Sequence, residues 1–135
     1  MSVQSNIDIV YNEKINFIEL LTSLEKSGMN YSDYGNITYL NNNDFDWRSG
    51  HLEDIKEIKD YLNRLFKGGN KIALVIVDDN KVGISLHINS DRELSLSLSI
   101  NRRKIGDNST DFSYYLQKVD IILKDVQSIT CTDIY

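Results

Sequence analysis

The chain has 135 residues, of which 41% are apolar and 26% charged, and its acidic side chains outnumber the basic ones to leave a net charge of −5. A length of this order buries a core without staples, so one domain spanning 1–135 is expected. The acidic balance argues against a nucleic-acid binder, whose affinity comes mainly from Lys and Arg, and no apolar run approaches the roughly 20 residues of a bilayer span.

The opening MSVQSNIDIV has no basic region and no unbroken apolar segment, so no secretory signal is read there and a cytoplasmic address is expected. Val3, Ser5, Ile7, Ile9 and Tyr11 alternate with Gln4, Asn6, Asp8 and Val10, the period of a half-buried strand. Phe17, Leu20, Leu21 and Leu24 then fall on one face at helical spacing, predicting a helix near 13–27 with Asn12 as N-cap and Gly28 at its end.

Asn30 to Asp54 interrupts this regularity. It holds Asp33, Asp44, Asp46, Glu53 and Asp54 against Arg48 alone, which is four of the five net negative charges of the chain. Tyr31, Tyr34, Tyr39, Phe45 and Trp47 lie in the same window, five of the thirteen aromatics, with a short strand expected at Ile37 to Leu40. Acidic side chains beside rigid aromatic anchors are what a surface for a basic partner uses, and long loops are often functional.

From Leu52 the helical period returns in Leu52, Ile55, Ile58, Leu62, Leu65 and Phe66, predicting a helix over 52–67 stopped by Gly68-Gly69. Three strands follow, at 71–77, 82–89 and 93–101. In the first, Ile72 to Val77 is apolar throughout, as a strand covered on both faces would be, and Asp79-Asn80 supplies the turn after it from residues that tolerate positive φ. In the second, Val82, Ile84, Leu86 and Ile88 alternate with Gly83, Ser85 and His87. The third sets Leu94, Leu96, Leu98 and Ile100 against Ser95, Ser97 and Ser99. One face is aliphatic and the other small and hydroxylic, an antiparallel meander. Phe112, Tyr115, Leu116, Val119, Ile122, Leu123 and Val126 extend the 3.6 period over 111–127, with Thr110 or Asp111 as cap, and SITCTDIY is left as a short strand or loose tail. The order β-α-(β)-α-β-β-β-α predicts an α+β fold, an antiparallel sheet with about three helices on one face.

Candidate chemistry is sparse. His87 lies on the serine face with Ser85, Ser95, Ser97 and Ser99, but an activated serine needs a strained turn, an orienting carboxylate and an oxyanion hole, none of which the sequence supplies. Asp44 with Asp46, and Asp78 with Asp79, lack the spaced oxygens and glycine of a calcium loop, and Gly68-Gly69 precedes a strand where a phosphate cradle would precede a helix. Cys131 is alone, which rules out an internal disulfide and a cysteine zinc cluster, and it reads as a small apolar residue. Arg102-Arg103-Lys104 reads as a solvated strand end. No catalytic residue, metal site or cofactor is assigned.

In size, acidity, α+β organisation and the segment NNNDFDW, the chain resembles the small immunity proteins that bacteria pair with polymorphic or contact-dependent toxins. The resemblance implies a cytoplasmic, non-enzymatic inhibitor that occupies the basic cleft of a cognate toxin domain. Its partner-binding residues would be Asp33, Tyr34, Tyr39, Asp44, Asp46 and Trp47. Two other classes stay open: a homo-oligomeric module pairing through Leu94–Ile100 were that strand at an edge, with the state a monomer or weak homodimer, and a small-ligand binder or enzyme using the Ser/His face.

Overall fold

Alternating burial fixes which way each strand faces. The computed structural model describes residues 3–33, 35–40 and 47–135, without the side chains of Ser32 and Asp33. In β1 (Gln4–Tyr11), Ser5, Ile7, Ile9 and Tyr11 are buried while Asn6, Asp8 and Val10 take the opposite face. Helix α1 (Phe17–Lys26) begins four residues later than the sequence pattern places it. Its cap is Asn16 instead of Asn12, with Asn16 Oδ1 accepting the Glu19 N–H at 3.2 Å. The reason is backbone competition: the N–H groups of Asn12 and Ile15 donate to the carbonyls of Asp125 and Asp91 at 2.9 and 2.7 Å, which holds the segment against two turns. Gly28, at φ 95°, ends the helix as expected.

The acidic window contains more strand than its sequence suggests: β2 (Ser32–Asp33), β3 (Asn36–Leu40) and β4 (Arg48–His51). A 3-10 turn at Leu52–Asp54 precedes α2 (Ile55–Lys67), so Leu52 stays exposed and the buried stripe starts with Ile58 and Leu62. The meander is β5 (Ile72–Val77), β6 (Gly83–Ile88) and β7 (Glu93–Ile100). In the first turn the left-handed residue is Lys81, at φ 62°, and not Asp79 or Asn80. Then come β8 (Lys104–Ile105), β9 (Ser109–Thr110) and α3 (Phe112–Lys118), the last capped by Asp111.

The final helix is much shorter than 111–127. Tyr115, Val119 and Ile122 are all buried, so the apolar period is real, but it is carried by α3 and a 3-10 turn at Asp120–Ile122. Asp125, at φ 54°, breaks the helical course. The β-branched tail then pairs along its whole length with β1 as β10 (Val126–Ile134).

The sheet is antiparallel, in the order β10-β1-β7-β6-β5-β3-β2, with β4 also paired to β3. Strand β7 therefore lies between β1 and β6, and Leu94–Ile100 is not an edge available for self-pairing. Ile7, Ile9, Ile37, Leu74, Ile84, Leu86, Leu94 and Leu96 meet Phe17, Leu21, Leu24, Leu62 and Tyr115 in one core. The aliphatic side of the meander faces the helices, and its serines face away. No helix among the described residues is long and apolar enough to cross a membrane.

Candidate protein-binding face

The helix-free face of the sheet carries a continuous row of side chains set by register. Leu40 stands opposite Ala73, Ala73 opposite His87, His87 opposite Ser95, Ser95 opposite Asp8, and Asp8 opposite Thr130. Trp47, just before β4, reaches across this row and meets the His87 ring edge-on, with centroids 5.9 Å apart and planes at 77°. Ala73, opposite both Leu40 and His87 in this row, is 2% exposed and carries only a methyl group. Trp47 itself remains 43% exposed. It is a rigid aromatic anchored at one edge and open at the other, the form that anchors of protein interfaces take.

Burial pushes the His87 pKa below its ordinary value, so the ring is neutral near pH 7. The nearby serine is already engaged. Ser95 Oγ donates its one hydrogen to Asp8 Oδ1 at 2.7 Å and accepts from Asn89 Nδ2 at 3.0 Å. That arrangement orients Asp8 and Ser95 as a polar surface, with the hydroxyl hydrogen directed at the carboxylate.

The sequence-derived site residues are not all brought together. Tyr39 lies in β3 opposite Leu74 and Arg48, partly buried against the core on the helix side, so it and Trp47 occupy opposite faces. Asp33 is placed in β2 opposite Asn36. Tyr34, Asp44 and Asp46 lie outside the described residues. His87 is the partner that the sequence does not reveal, because only the sheet register brings it to Trp47 from 40 positions away. Its place on the hydroxylic side of an alternating strand was the one available signal.

Two further polar clusters are structural. Asp78 is 4% exposed; its Oδ1 accepts the Asn80 and Val82 N–H groups at 2.8 and 3.0 Å, and its Oδ2 accepts the Tyr114 hydroxyl. Burial alone would raise this carboxyl's pKa, but those hydrogen bonds and the Lys118 ammonium at 3.9 Å outweigh it and hold it below the usual range. Asp78 therefore organises the β5–β6 turn and ties it to α3. Asp133 does the same for the C-terminal strand, accepting Ser5 Oγ, Thr110 Oγ1 at 2.6 Å and the Thr110 N–H at 2.8 Å, while Arg102 donates to Thr110 Oγ1 at 2.7 Å. Arg102 and Arg103, the latter over the Tyr114 ring at 5.2 Å, are thus tied into the fold and are not a free basic strand end.

A cavity of about 790 Å³ lies between the start of α1, the end of α2 and the β6–β7 turn, lined by Phe17, Phe66, Asn63, Asn70 and Asn89 among others. Among the described residues, no group of three or more His, Cys, Asp or Glu is placed to hold a metal ion. No protein-family model, curated protein or solved structure matches the chain.

Proposed function

We propose that this chain is a non-enzymatic protein-binding inhibitor, acting on a basic partner of the kind presented by a bacterial toxin domain. The observation that carries the reading is Trp47, seated on His87 yet 43% exposed, in the stretch of sequence where the chain is most acidic. In the described fold nothing in the interior requires a tryptophan at this position. A partner that covered it would remove a large apolar surface from water, while Asp44, Asp46 and Asp33 would steer a basic cleft toward it. The resemblance to immunity proteins supplies the biological class, and Tyr39 serves the site by packing β3.

The test is the affinity for the product of an adjacent toxin-like reading frame, measured with the wild type beside two variants. Reversing charge at Asp44 and Asp46 together should slow association and flatten its salt dependence. Trp47→Ala should mainly speed dissociation, at a cost of about 2 kcal/mol for a hot spot. Equal binding by all three proteins would move the function to another surface.

A further inference from the structure

We propose that β10 is a self-association edge, through which two copies of this chain join their sheets across a two-fold axis at Thr130. Among the described residues β10 has one neighbour, β1, so one side of a nine-residue strand presents an unpaired hydrogen-bond ladder. The opposite end of the sheet is cut into β2 and β4, of two and four residues, which is how a sheet blunts an edge. From Ser128 to Thr132 the charge, proline and bulge that protect an edge are missing. No charge lies between Val126 and Thr132, and the chain has no proline. The one register shift against β1 falls at its start, leaving the middle of the strand regular.

The chemistry of the strand selects a second copy over the basic partner. A partner attracted by carboxylates finds none on Val126–Thr132, whereas an antiparallel edge is complementary to itself. A two-fold perpendicular to the sheet keeps both sets of helices on one side and must pass through a residue facing its own copy. Placed at Thr130, it pairs all nine residues. Ile129 then stands opposite Cys131 of the copy on the helix side, and Ser128 opposite Thr132 on the other. Asp133 meets Gln127, so no like charges oppose. Placing the axis at Cys131 would set Ile129 against Asp133. Ile129, 38% exposed, borders a shallow cavity of about 390 Å³ beside Leu116 and Leu123, and pairing would cover this apolar strip next to the ladder. Because β10 lies three strands from β6, where Trp47 meets His87, the inference stands apart from the Trp47 reading.

Sedimentation equilibrium of the full chain, from about 1 μM to about 1 mM, should pass from 15.6 kDa toward twice that mass. Thr130→Lys, which opposes two ammonium groups at the axis, and Ile129→Lys should each remain monomeric with unchanged circular dichroism. Under mild oxidation Ile129→Cys should cross-link copies through Cys131, since directly paired strand residues have the spacing that a disulfide requires, while the wild type should not. A wild type that sediments as monomer throughout, or lysine variants that associate like it, would overturn the proposal. Cross-linking of the wild type would overturn the register.

Discussion

At the scale of single residues, the contact between Trp47 and His87 makes its own reporter. Trp47 is the only tryptophan, and the imidazole against it is held neutral by burial, with a pKa below the ordinary 6.5. Protonation places a cation at the ring and adds a desolvation penalty that the neutral form avoids. Tryptophan emission should therefore titrate with a midpoint below 6.5, and His87→Gln should make the profile flat. A midpoint at or above 6.5 would mean that burial does not govern the ring. The pairing also shows where residue-level reading reaches its end. The acidic and aromatic composition of the window was plain from the sequence, as was the polar side of the strand carrying His87, but which aromatic met which strand depended on a register spanning β3, β5 and β6.

At the scale of elements, two glycines in strands carry different constraints. A Cβ on Gly83 would stand 2.7 Å from the Cβ of Ile100 and 2.9 Å from its Cγ2 and Cδ1, where the β6–β7 register shifts. A Cβ on Gly50 would clash with the terminal Cδ1 of Ile58 at 2.7 Å, which a rotation of that side chain relieves, and would meet Ile37 and Tyr39 at ordinary contact distances of 3.6 and 3.7 Å. Gly83→Ala should accordingly lower the urea midpoint by the larger amount at constant m, a loss of about 1 to 3 kcal/mol of stability, and Gly50→Ala by less. The reverse order would show that the shifted register yields more easily than Ile58. Elements with a strong period were legible: the meander, its aliphatic face and the stripes of α1 and α2 all follow from it. The C-terminal strand was not, because Tyr115, Val119 and Ile122 keep helical spacing across a helix that has already ended, and the pull of β1's unpaired edge on Val126–Ile134 is tertiary. The start of α1 was misplaced for the same kind of reason, since hydrogen bonds to Asp91 and Asp125 outcompete helical ones.

At the scale of the whole molecule, the perturbed groups combine into one pH profile of stability. His87 and the carboxylates Asp78 and Asp133 have folded pKa values below their ordinary 6.5 and 3.8, so in each case the unfolded chain binds protons more readily. The stability each contributes is present above the ordinary value and is lost as pH falls through the folded one. The tyrosines act at the other end. Burial pushes Tyr11, whose hydroxyl donates to the Ile122 carbonyl at 2.8 Å, up to about 12, and raises Tyr31 and Tyr115 above the ordinary 10. A group with a raised folded pKa stabilises below its unfolded value and stops doing so as pH climbs toward the folded one. Urea melts across pH should therefore show a plateau between about 6.5 and 9, where the raised Cys131 thiol sets the alkaline limit, a shallow decline below 6.5 from one histidine, and a steeper decline below about 4.5, where the lowered Glu25 and then Asp78 and Asp133 lose their contributions. Asp78→Asn should lower the plateau, because Asn80, Val82 and Tyr114 lose a charged acceptor, and should weaken the acid step without moving the one near 6.5. His87→Gln should remove the 6.5 step and leave the acid step in place. Stability that rose on acidification from pH 7 to 5 would contradict the neutral, half-buried imidazole on which both the profile and the seating of Trp47 depend.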